Sequence, residues 1–213
     1  MRGAEVFTSQ LSNHLTRMGG EAVIVPVFKG DAILPFSGKI IELTATASKK
    51  YWDIKGWKNL AQIIKEEQPD IVQANAGDTL KYAIFSKLLY RWKQPVVFRN
   101  ASTISLYIKS SFVKKLYGFL FSKTEKIISV SQASAQDFAT LFPHCKNKIT
   151  VIPIGIEEAE PVETKTSPNP FNNYSGTGPV LVHVGGLSFG KNHKGLIGIF
   201  KRVLRRFSGA TLH

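Results

Sequence analysis

Apolar positions along most of the chain alternate between two periods. Helical spacing of apolar residues predicts helices at residues 4–18, 57–67, 79–92, 111–121 and 132–142. Short runs rich in Val and Ile predict strands at residues 22–28, 40–43, 70–75, 95–100, 126–131 and 148–155. Strands of this composition, separated by helices, form parallel sheets that are covered on both faces. The pattern therefore predicts an α/β fold, a Rossmann-like parallel sheet with helices on both faces.

The stretch 158–178 interrupts this alternation and is typical of a linker, since it contains three prolines and few apolar residues. Residues 1–157 are predicted to form the Rossmann-like domain, in which no strand precedes the first helix. Residues 179–213 begin a second α/β domain with one strand, a glycine turn and an amphipathic helix. One strand and one helix cannot bury both of their faces alone. We therefore expect a fragment that lacks the first strand of one domain and most of the other.

Composition limits the class of partner. A chain of 213 residues with 43% hydrophobic side chains can bury a core. Its 28 Lys and Arg exceed its 15 Asp and Glu, so the formal charge is +13 and the expected partners are polyanions: phosphorylated ligands, nucleic acid or an anionic membrane surface. The charge alone does not choose among them.

Cysteine content and the absence of targeting signals bear on the compartment. The single cysteine, Cys145, excludes an internal disulfide and a multi-cysteine metal site, and it fits a reducing compartment. We find no apolar run of the roughly 20 residues that a membrane span needs, and no signal-peptide core. The sequence therefore predicts a cytoplasmic protein that is neither exported nor membrane-spanning.

Basic and aromatic residues are interleaved from Lys81 to Lys126, where Glu125 is the single carboxylate. Such a pattern can seat a helix in an anionic membrane interface, where a lipid-linked acceptor would be met. Alternatively, the aromatic side chains face the sheet and the lysines face water. Both interpretations fit the sequence.

Three segments resemble the family-four glycosyltransferases. SVSQASAQDF, followed by KNKITVIPIGIE, resembles the end of that family's first domain, where a strand ending in Ser-Glu precedes a helix and a strand closing with Pro-Asn-Gly-Ile-Asp. VHVGGLSFGKNHKGLIGIFKRV resembles the start of the second domain, which usually reads Val-Gly-Arg-Leu before its turn. RGAE, at residues 2–5, resembles the Gly-Gly-Ala-Glu turn that opens the first helix. The three segments follow the family's order and spacing.

The resemblance implies a GT-B architecture, in which two Rossmann-like domains face each other across a cleft. It implies that a nucleotide-sugar donor, bound mainly by the second domain, gives its sugar with retention to a glycan or lipid-linked acceptor, as in glycan or lipopolysaccharide-type polysaccharide synthesis. No metal and no further cofactor are expected, and no nucleic acid partner. The chain alone is expected to be inactive, because the family's donor-binding glutamates would lie beyond His213.

Four residues match the family's donor and phosphate positions. Gly3 matches the second glycine of the first-domain turn, and Gly185 and Gly186 match the second-domain turn, although the family commonly has Arg where Gly186 stands. Lys191 matches the phosphate lysine. Backbone amides at helix amino ends and basic side chains neutralise a departing diphosphate. The alternatives are that Gly3 merely permits a tight turn and that Lys191 is a solvated surface residue.

Asn75, Arg99 and Asn100 are the candidate acceptor or sugar contacts, because they follow predicted strands at the edge where ligands of α/β proteins bind. Asn100 stands where many relatives have a histidine that contacts the transferred sugar. An amide can hydrogen-bond a hydroxyl but cannot carry a proton away, and no catalytic residue is assigned. Arg99 suggests an anionic acceptor or a donor phosphate. The alternative is a buried pair at a strand end, and His183 is likewise predicted to lie in a strand as a core residue.

A second function remains open at this stage: a basic Rossmann-like protein that binds nucleic acid or regulates without catalysis. Binding of nucleoside diphosphate that persists at moderate salt would favour the transferase. Sequence-independent binding that falls steeply with salt would favour the alternative.

Overall fold

The computed structural model describes residues 3–30, 33–45, 52–155, 178–187 and 189–213. Contacts divide the chain into two compact units, Met1–Ile156 and Glu157–His213. The helices of the described residues are α1 Gly3–Arg17, α2 Ile54–Glu67, α3 Gly77–Tyr90, α4 Ser111–Ser122, α5 Gln132–Leu141 and α6 His193–Arg206. The strands are β1 Val23–Ile24, β2 Lys39–Ile40, β3 Val72–Ala74, β4 Val96–Asn100, β5 Lys126–Ser129, β6 Ile149–Val151, β7 Val180–Leu181 and β8 Thr211–Leu212. The predicted linker lies outside the described residues, apart from Gly178.

The first unit contains a four-stranded parallel sheet in the order β3-β4-β5-β6. Helices α3, α4 and α5 connect its successive strands. The predicted α/β class with a parallel sheet is therefore confirmed. Its predicted strands are longer than those observed, mainly because pairing stops before their predicted carboxyl ends, as in β6, which ends at Val151.

Strands β1 and β2 pair in parallel as a separate sheet of the same unit. The predicted strand 22–28 is shortened to Val23–Ile24. Pro26 has no backbone N–H to donate to a ladder. Alignment of the two segments nevertheless continues past the strands, since the N–H of Leu43 donates to the carbonyl of Pro26 at 3.1 Å.

Aromatic packing holds the sheet of the first unit to its helices. The ring of Phe121 in α4 lies 5.0 Å from that of Phe98 in β4, 4.7 Å from that of Phe138 in α5 and 5.1 Å from that of Phe142. All four side chains are buried. Aromatic rings at these separations stabilise each other beyond the area they bury. This core fixes the strand ends at which the candidate site lies.

A second cluster joins α2 to α3 and is closed by a buried polar contact. Asp53 caps α2, with its Oδ1 accepting the N–H of Gly56 at 2.8 Å. Its Oδ2 accepts the hydroxyl of Tyr82 in α3, also at 2.8 Å. Burial, and next the hydrogen bond to Asp53, raise the pKa of Tyr82. The Asp53 carboxylate therefore caps the amino end of α2 and also links α2 to α3.

The second unit consists of β7 and β8 in parallel, with α6 between them in sequence. No residue of α6 is buried, although every one of its positions is described. The prediction that His183 lies within a strand as a core residue is wrong, because β7 ends at Leu181 and His183 is only half-buried. Of the helices that the structure describes, none has the length and apolar character that a membrane span requires.

Candidate functional site

The carboxyl ends of β3 to β6 form a polar edge of the sheet. The register pairs Ala74 with Phe98 and Asn100 with Ser129, so the residues that follow these strands emerge at neighbouring positions. In α/β sheets, ligands bind outside this edge. The edge is therefore the candidate site of the first unit.

Arg99 and Asn100 lie on opposite faces of the sheet, because successive residues of a strand alternate. Phe98 packs into the core with α4 and α5, and Asn100 continues on that face. Arg99 instead contacts Phe7 of α1. The structure therefore separates two residues that sequence reasoning grouped together.

Arg99 is a buried cation, with 5% of its surface exposed. Its guanidinium carbon lies 3.6 Å from the centroid of the Phe7 ring. No hydrogen bond or ion pair joins the guanidinium to another residue within the described part of the chain. Burial lowers the pKa of Arg99, but arginine stays protonated at neutral pH. An anion bound beside it would compensate this charge.

Helix α1 brings Gly3 into the same region as Arg99. Gly3 begins the helix and lies four residues before Phe7, so both share one helix face. Gly3 is exposed, and a Cβ atom built on it would meet no atom within 4 Å. Packing among the described residues therefore does not require glycine at this position. The amino end of a helix favours anions, and the phosphate contact of Gly3 stays a prediction.

Asn75 is half-buried and follows β3 directly. It lies on the same face of the sheet as Arg99. Its Oδ1 accepts a hydrogen bond from Nε2 of Gln73 at 2.8 Å. Its amide group donates to no partner among the residues that are described. Asn75 can therefore donate to a ligand oxygen at the strand edge.

Asn100 is fixed inside the protein by its amide group. Nδ2 donates to Oγ of Ser129 and to the carbonyl of Ser134, both at 3.2 Å, and the residue is almost fully buried. These bonds connect β4, β5 and the first turn of α5. The contact of Asn100 with a sugar stays a prediction, and it would use the amide oxygen because both amide protons are engaged.

The glycine turn of the second unit brings Gly185 and Lys191 together. A Cβ atom built on Gly185 would lie 3.4 Å from both Cγ and Cδ of Lys191 and 3.2 Å from Nε2 of His183. The lysine stem therefore packs across the turn where a larger residue would crowd it. Nε2 of His183 is buried and has no hydrogen-bond partner among the residues that the structure describes. Gly186 is exposed and has open space around its Cα atom.

The amino end of α6 follows this turn directly. Asn192 adopts the left-handed conformation, with φ 47° and ψ 44°, and its Oδ1 accepts the N–H of Gly195 at 3.2 Å. A Cβ atom on Gly195 would collide with the Asn192 side chain, so the tight cap requires glycine there. No carboxylate occurs in the sequence from Gly178 to His213. The turn, Lys191 and the helix end together form an electropositive surface suited to phosphate.

Sequence reasoning missed two contributors, Phe7 and His183. Phe7 supports the Arg99 guanidinium, and its spacing from Gly3 on α1 was a usable signal. His183 places a ring nitrogen beside Gly185, and this nitrogen has no hydrogen-bond partner within the described ranges. The role of His183 was missed because the run of apolar residues continues past Leu181, so the predicted strand extended beyond the paired segment and included His183.

The described residues also contain a groove outside the polar strand edge. A groove of about 640 Å³ lies along α2 and the end of α3, lined in part by Lys58, Trp92 and Gln94. It lies at the end of α3 away from the polar strand edge, so its position does not match the candidate site. No group of three His, Cys, Asp or Glu that could hold a metal occurs within the ranges given above.

The chain resembles solved glycosyltransferase structures. It superposes on HepE from Anabaena, solved with UDP and glucose, with a TM-score of 0.66 and 14% identity over 99% of this chain and 65% of that protein. A glycosyltransferase from Rickettsia africae ESF-5 gives a TM-score of 0.67 and 14% identity over 99% of this chain and 64% of its own. The lipopolysaccharide outer core galactosyltransferase WaaB superposes with a TM-score of 0.62 and 13% identity, over 100% of this chain and 64% of WaaB. The chain thus spans less than two thirds of each of these proteins.

A comparison with curated proteins finds no match. The family model described as Glycosyltransferase Family 4 matches residues 1–160 of the 213. This range contains the whole four-stranded sheet and the candidate site at its edge. The match covers most of the sequence, and the chain therefore belongs to Glycosyltransferase Family 4.

Proposed function

We propose that this chain is part of an enzyme that transfers a sugar from a nucleotide-sugar donor to a glycan or lipid-linked acceptor, with retention at the anomeric carbon. Family membership supports glycosyl transfer, and the solved HepE protein binds UDP and UDP-glucose. The observation that carries the proposal furthest is the guanidinium of Arg99 at the strand edge, which is buried and has no counter-charge among the described residues.

Arg99 and its neighbours form an anion-binding contact of the first unit. The guanidinium presents up to five N–H donors, and its position over Phe7 restricts its movement. Charge-assisted hydrogen bonds to phosphate or carboxylate oxygens are stronger than neutral ones. Asn75 supplies a further donor on the same face. In our proposal these groups bind a phosphate group of the donor.

The second unit supplies a separate phosphate contact, formed by the turn at Gly185 and Gly186, the Lys191 ammonium group and the amino end of α6. Fixed N–H groups and cations stabilise the charge that develops on a departing diphosphate. Our proposal assigns this neutralisation to the protein groups, without a metal cofactor. Nε2 of His183, which has no hydrogen-bond partner in the described part of the chain, can donate to the same anion when it carries the proton.

The test is UDP binding by the 213-residue chain, measured by calorimetry and by the thermal shift that UDP produces. Arg99→Met and Lys191→Gln each remove one cation and are expected to weaken binding about tenfold or more. The matched controls Arg91→Met and Lys201→Gln remove exposed cations from the same units and should bind UDP as the native chain does. ADP and GDP, titrated in parallel, report which base is preferred.

Stability of the variants separates binding from folding. Removing an unpaired buried charge costs little or stabilises a protein, so Arg99→Met should keep the melting temperature of the native chain. Loss of UDP binding by a folded Arg99→Met variant would support the proposal. Equal binding by all four variants would overturn the assignment of these residues. Failure to bind any nucleoside diphosphate, with oligonucleotide binding that collapses as salt is raised, would favour the nucleic-acid function instead.

A further inference from the structure

Large apolar side chains lie exposed on the segment that follows β4. Leu106 is 64% exposed, Tyr107 73% and Phe112 77%, and Phe119 is also exposed. Isolated exposed apolar residues are ordinary in proteins, whereas several on one short segment mark an interaction surface. We call Leu106, Tyr107, Phe112 and Phe119, with the lysines between them, the 106–119 surface.

The fold holds this segment in place from the inner side. Ile104 and Ile108 are buried in the core of the first unit, and they flank the exposed Leu106 and Tyr107. Ser105 donates from its backbone N–H and its hydroxyl to the two carboxylate oxygens of Asp137 in α5, at 3.1 and 2.5 Å. The exposed side chains are therefore the outward half of an anchored loop.

Helix α4 continues the surface through its outer face. Phe112, Lys115 and Phe119 recur at spacings of three and four residues and are all exposed. The opposite face carries Leu120 and Phe121, which are buried in the core. The aromatic side chains of α4 are thus divided between the core and the solvent. The sequence left open whether they face the sheet or an interface, and each interpretation fits one face of α4.

The charge of the segment is of one sign. Lys109, Lys114 and Lys115 are exposed, and no Asp or Glu occurs in the sequence between Asn100 and Glu125. None of these three lysines has an ion pair or hydrogen bond with a described residue. Exposed aromatic and leucine side chains among unpaired lysines match the two parts of an anionic bilayer surface: acyl chains below and phosphate headgroups above.

We propose that the 106–119 surface docks the protein on an anionic lipid bilayer. Phe112, Tyr107 and Leu106 enter the interface, and the lysines contact the headgroup phosphates. A nucleic acid is a poorer fit, because Leu106 has no ring on which a base could stack. Membrane docking does not depend on the proposed function. Its consequence for catalysis does: the surface begins just after the carboxyl end of β4, so docking would hold the strand-edge site close to a lipid-linked acceptor.

The test is co-sedimentation of the 213-residue chain with vesicles of phosphatidylcholine, with or without phosphatidylglycerol. Lys114→Gln/Lys115→Gln should weaken binding to the anionic vesicles roughly twenty-five-fold, since each lysine near such a surface contributes about fivefold. Lys55→Gln/Lys58→Gln is the matched control, because both of its lysines are exposed on α2. It should bind as the native chain does.

A second pair of variants tests the apolar component. Leu106→Gln/Phe112→Gln should abolish the part of the binding that persists at high salt, where electrostatic attraction is screened. Its control, Met18→Gln/Ile33→Gln, changes residues that are 73% and 91% exposed outside the surface. All four double variants replace exposed side chains, so their melting temperatures should match that of the native chain.

The result expected is strong binding to anionic vesicles, weak binding to phosphatidylcholine alone, and loss of binding in the two surface variants only. Absence of binding to anionic vesicles would overturn the proposal. Equal binding by the surface variants and their controls would also overturn it and would locate lipid binding elsewhere, for example on α6. Binding of single-stranded DNA through the same lysines, without vesicle binding, would replace it with a nucleic-acid surface. UDP binding, measured in parallel, shows whether the proposed function fails separately.

Discussion

At the scale of single residues, two buried polar groups of the first unit differ in whether a described residue acts as their polar partner. Tyr82 is fully buried and donates its hydroxyl to Asp53, which also caps α2. Arg99 is buried over an aromatic ring and has no described counter-charge. A buried polar group with a hydrogen-bond partner contributes to folding, whereas a buried charge without a counter-charge is typical of a site that binds a charged ligand.

The Tyr82 hydroxyl makes the free energy of unfolding depend on pH in the alkaline range. Its pKa in the folded state is raised above the ordinary tyrosine value of 10.0, so its contribution is complete below pH 10 and is lost as the pH rises through the folded value. Tyr82→Phe should lower the free energy of unfolding at neutral pH by about 1–3 kcal/mol. It should also lose less stability above pH 10 than the native chain does.

Urea unfolding at a series of pH values measures both effects. Tyr107→Phe is the control, because it removes the hydroxyl of an exposed tyrosine. A Tyr82→Phe variant as stable as the native chain at neutral pH would contradict the role assigned to the contact with Asp53.

At the scale of secondary-structure elements, packing decides what a helical glycine does. Gly56 lies in the first turn of α2 under the Asp53 and Tyr82 side chains. Gly118 lies in α4, where a Cβ atom would find its nearest neighbour, Cε1 of His144, at 3.5 Å. Intrinsic propensity alone favours alanine over glycine in a helix by about 1 kcal/mol at either position.

Alanine substitution should therefore have opposite effects in the two helices. In Gly56→Ala the new Cβ atom would lie 2.7 Å from Oδ2 of Asp53 and 2.8 Å from Cε1 of Tyr82, so the capping contact must shift. We expect a loss of about 2 kcal/mol in the free energy of unfolding. Gly118→Ala should leave that free energy unchanged or raise it by up to about 1 kcal/mol. Urea unfolding distinguishes the two, and equal effects would contradict the packing argument.

At the scale of the whole molecule, the two units differ in how much they bury. The first unit has two clusters of buried side chains, and the larger one joins the sheet to α3, α4 and α5. In the second unit, α6 has no buried residue within its described length, and each strand has two residues. Regions with few buried contacts open at a low cost in free energy.

Limited trypsin digestion should therefore cut the second unit first and leave a fragment that extends through β6. Both units offer basic residues on helices, Lys201 and Arg205 in α6 and Lys114 and Lys115 in α4, so the order of cleavage reports local opening rather than sequence preference. Mass spectrometry of the fragments identifies the cuts. Early cleavage within α4, or a long-lived second unit, would contradict the expectation.

Sequence periodicity predicted the fold class and most elements of the first unit. Helical spacing and Val-rich runs are local properties, so α3, α4, α5 and the strands between them lie close to their predicted positions. The resemblance at residues 2–5, 129–157 and 182–203 indicated the family that the match over residues 1–160 confirms. Strand ends were less accurate, because the chain leaves the ladder where pairing stops rather than where apolar residues stop, as at His183.

The residue types of the site could be read from the sequence: the glycine turns, Lys191, and the polar residues at the carboxyl ends of β3 and β4. Which of these residues lie together depends on the folded arrangement of the sheet and its helices. Because successive residues of β4 alternate in direction, Arg99 contacts Phe7 whereas Asn100 donates to the carbonyl of Ser134. The packing of α4 leaves Phe112 in solvent and buries Phe121. The physical reason is that these contacts join residues far apart in sequence, and only the packing of helices against the sheet brings such residues together.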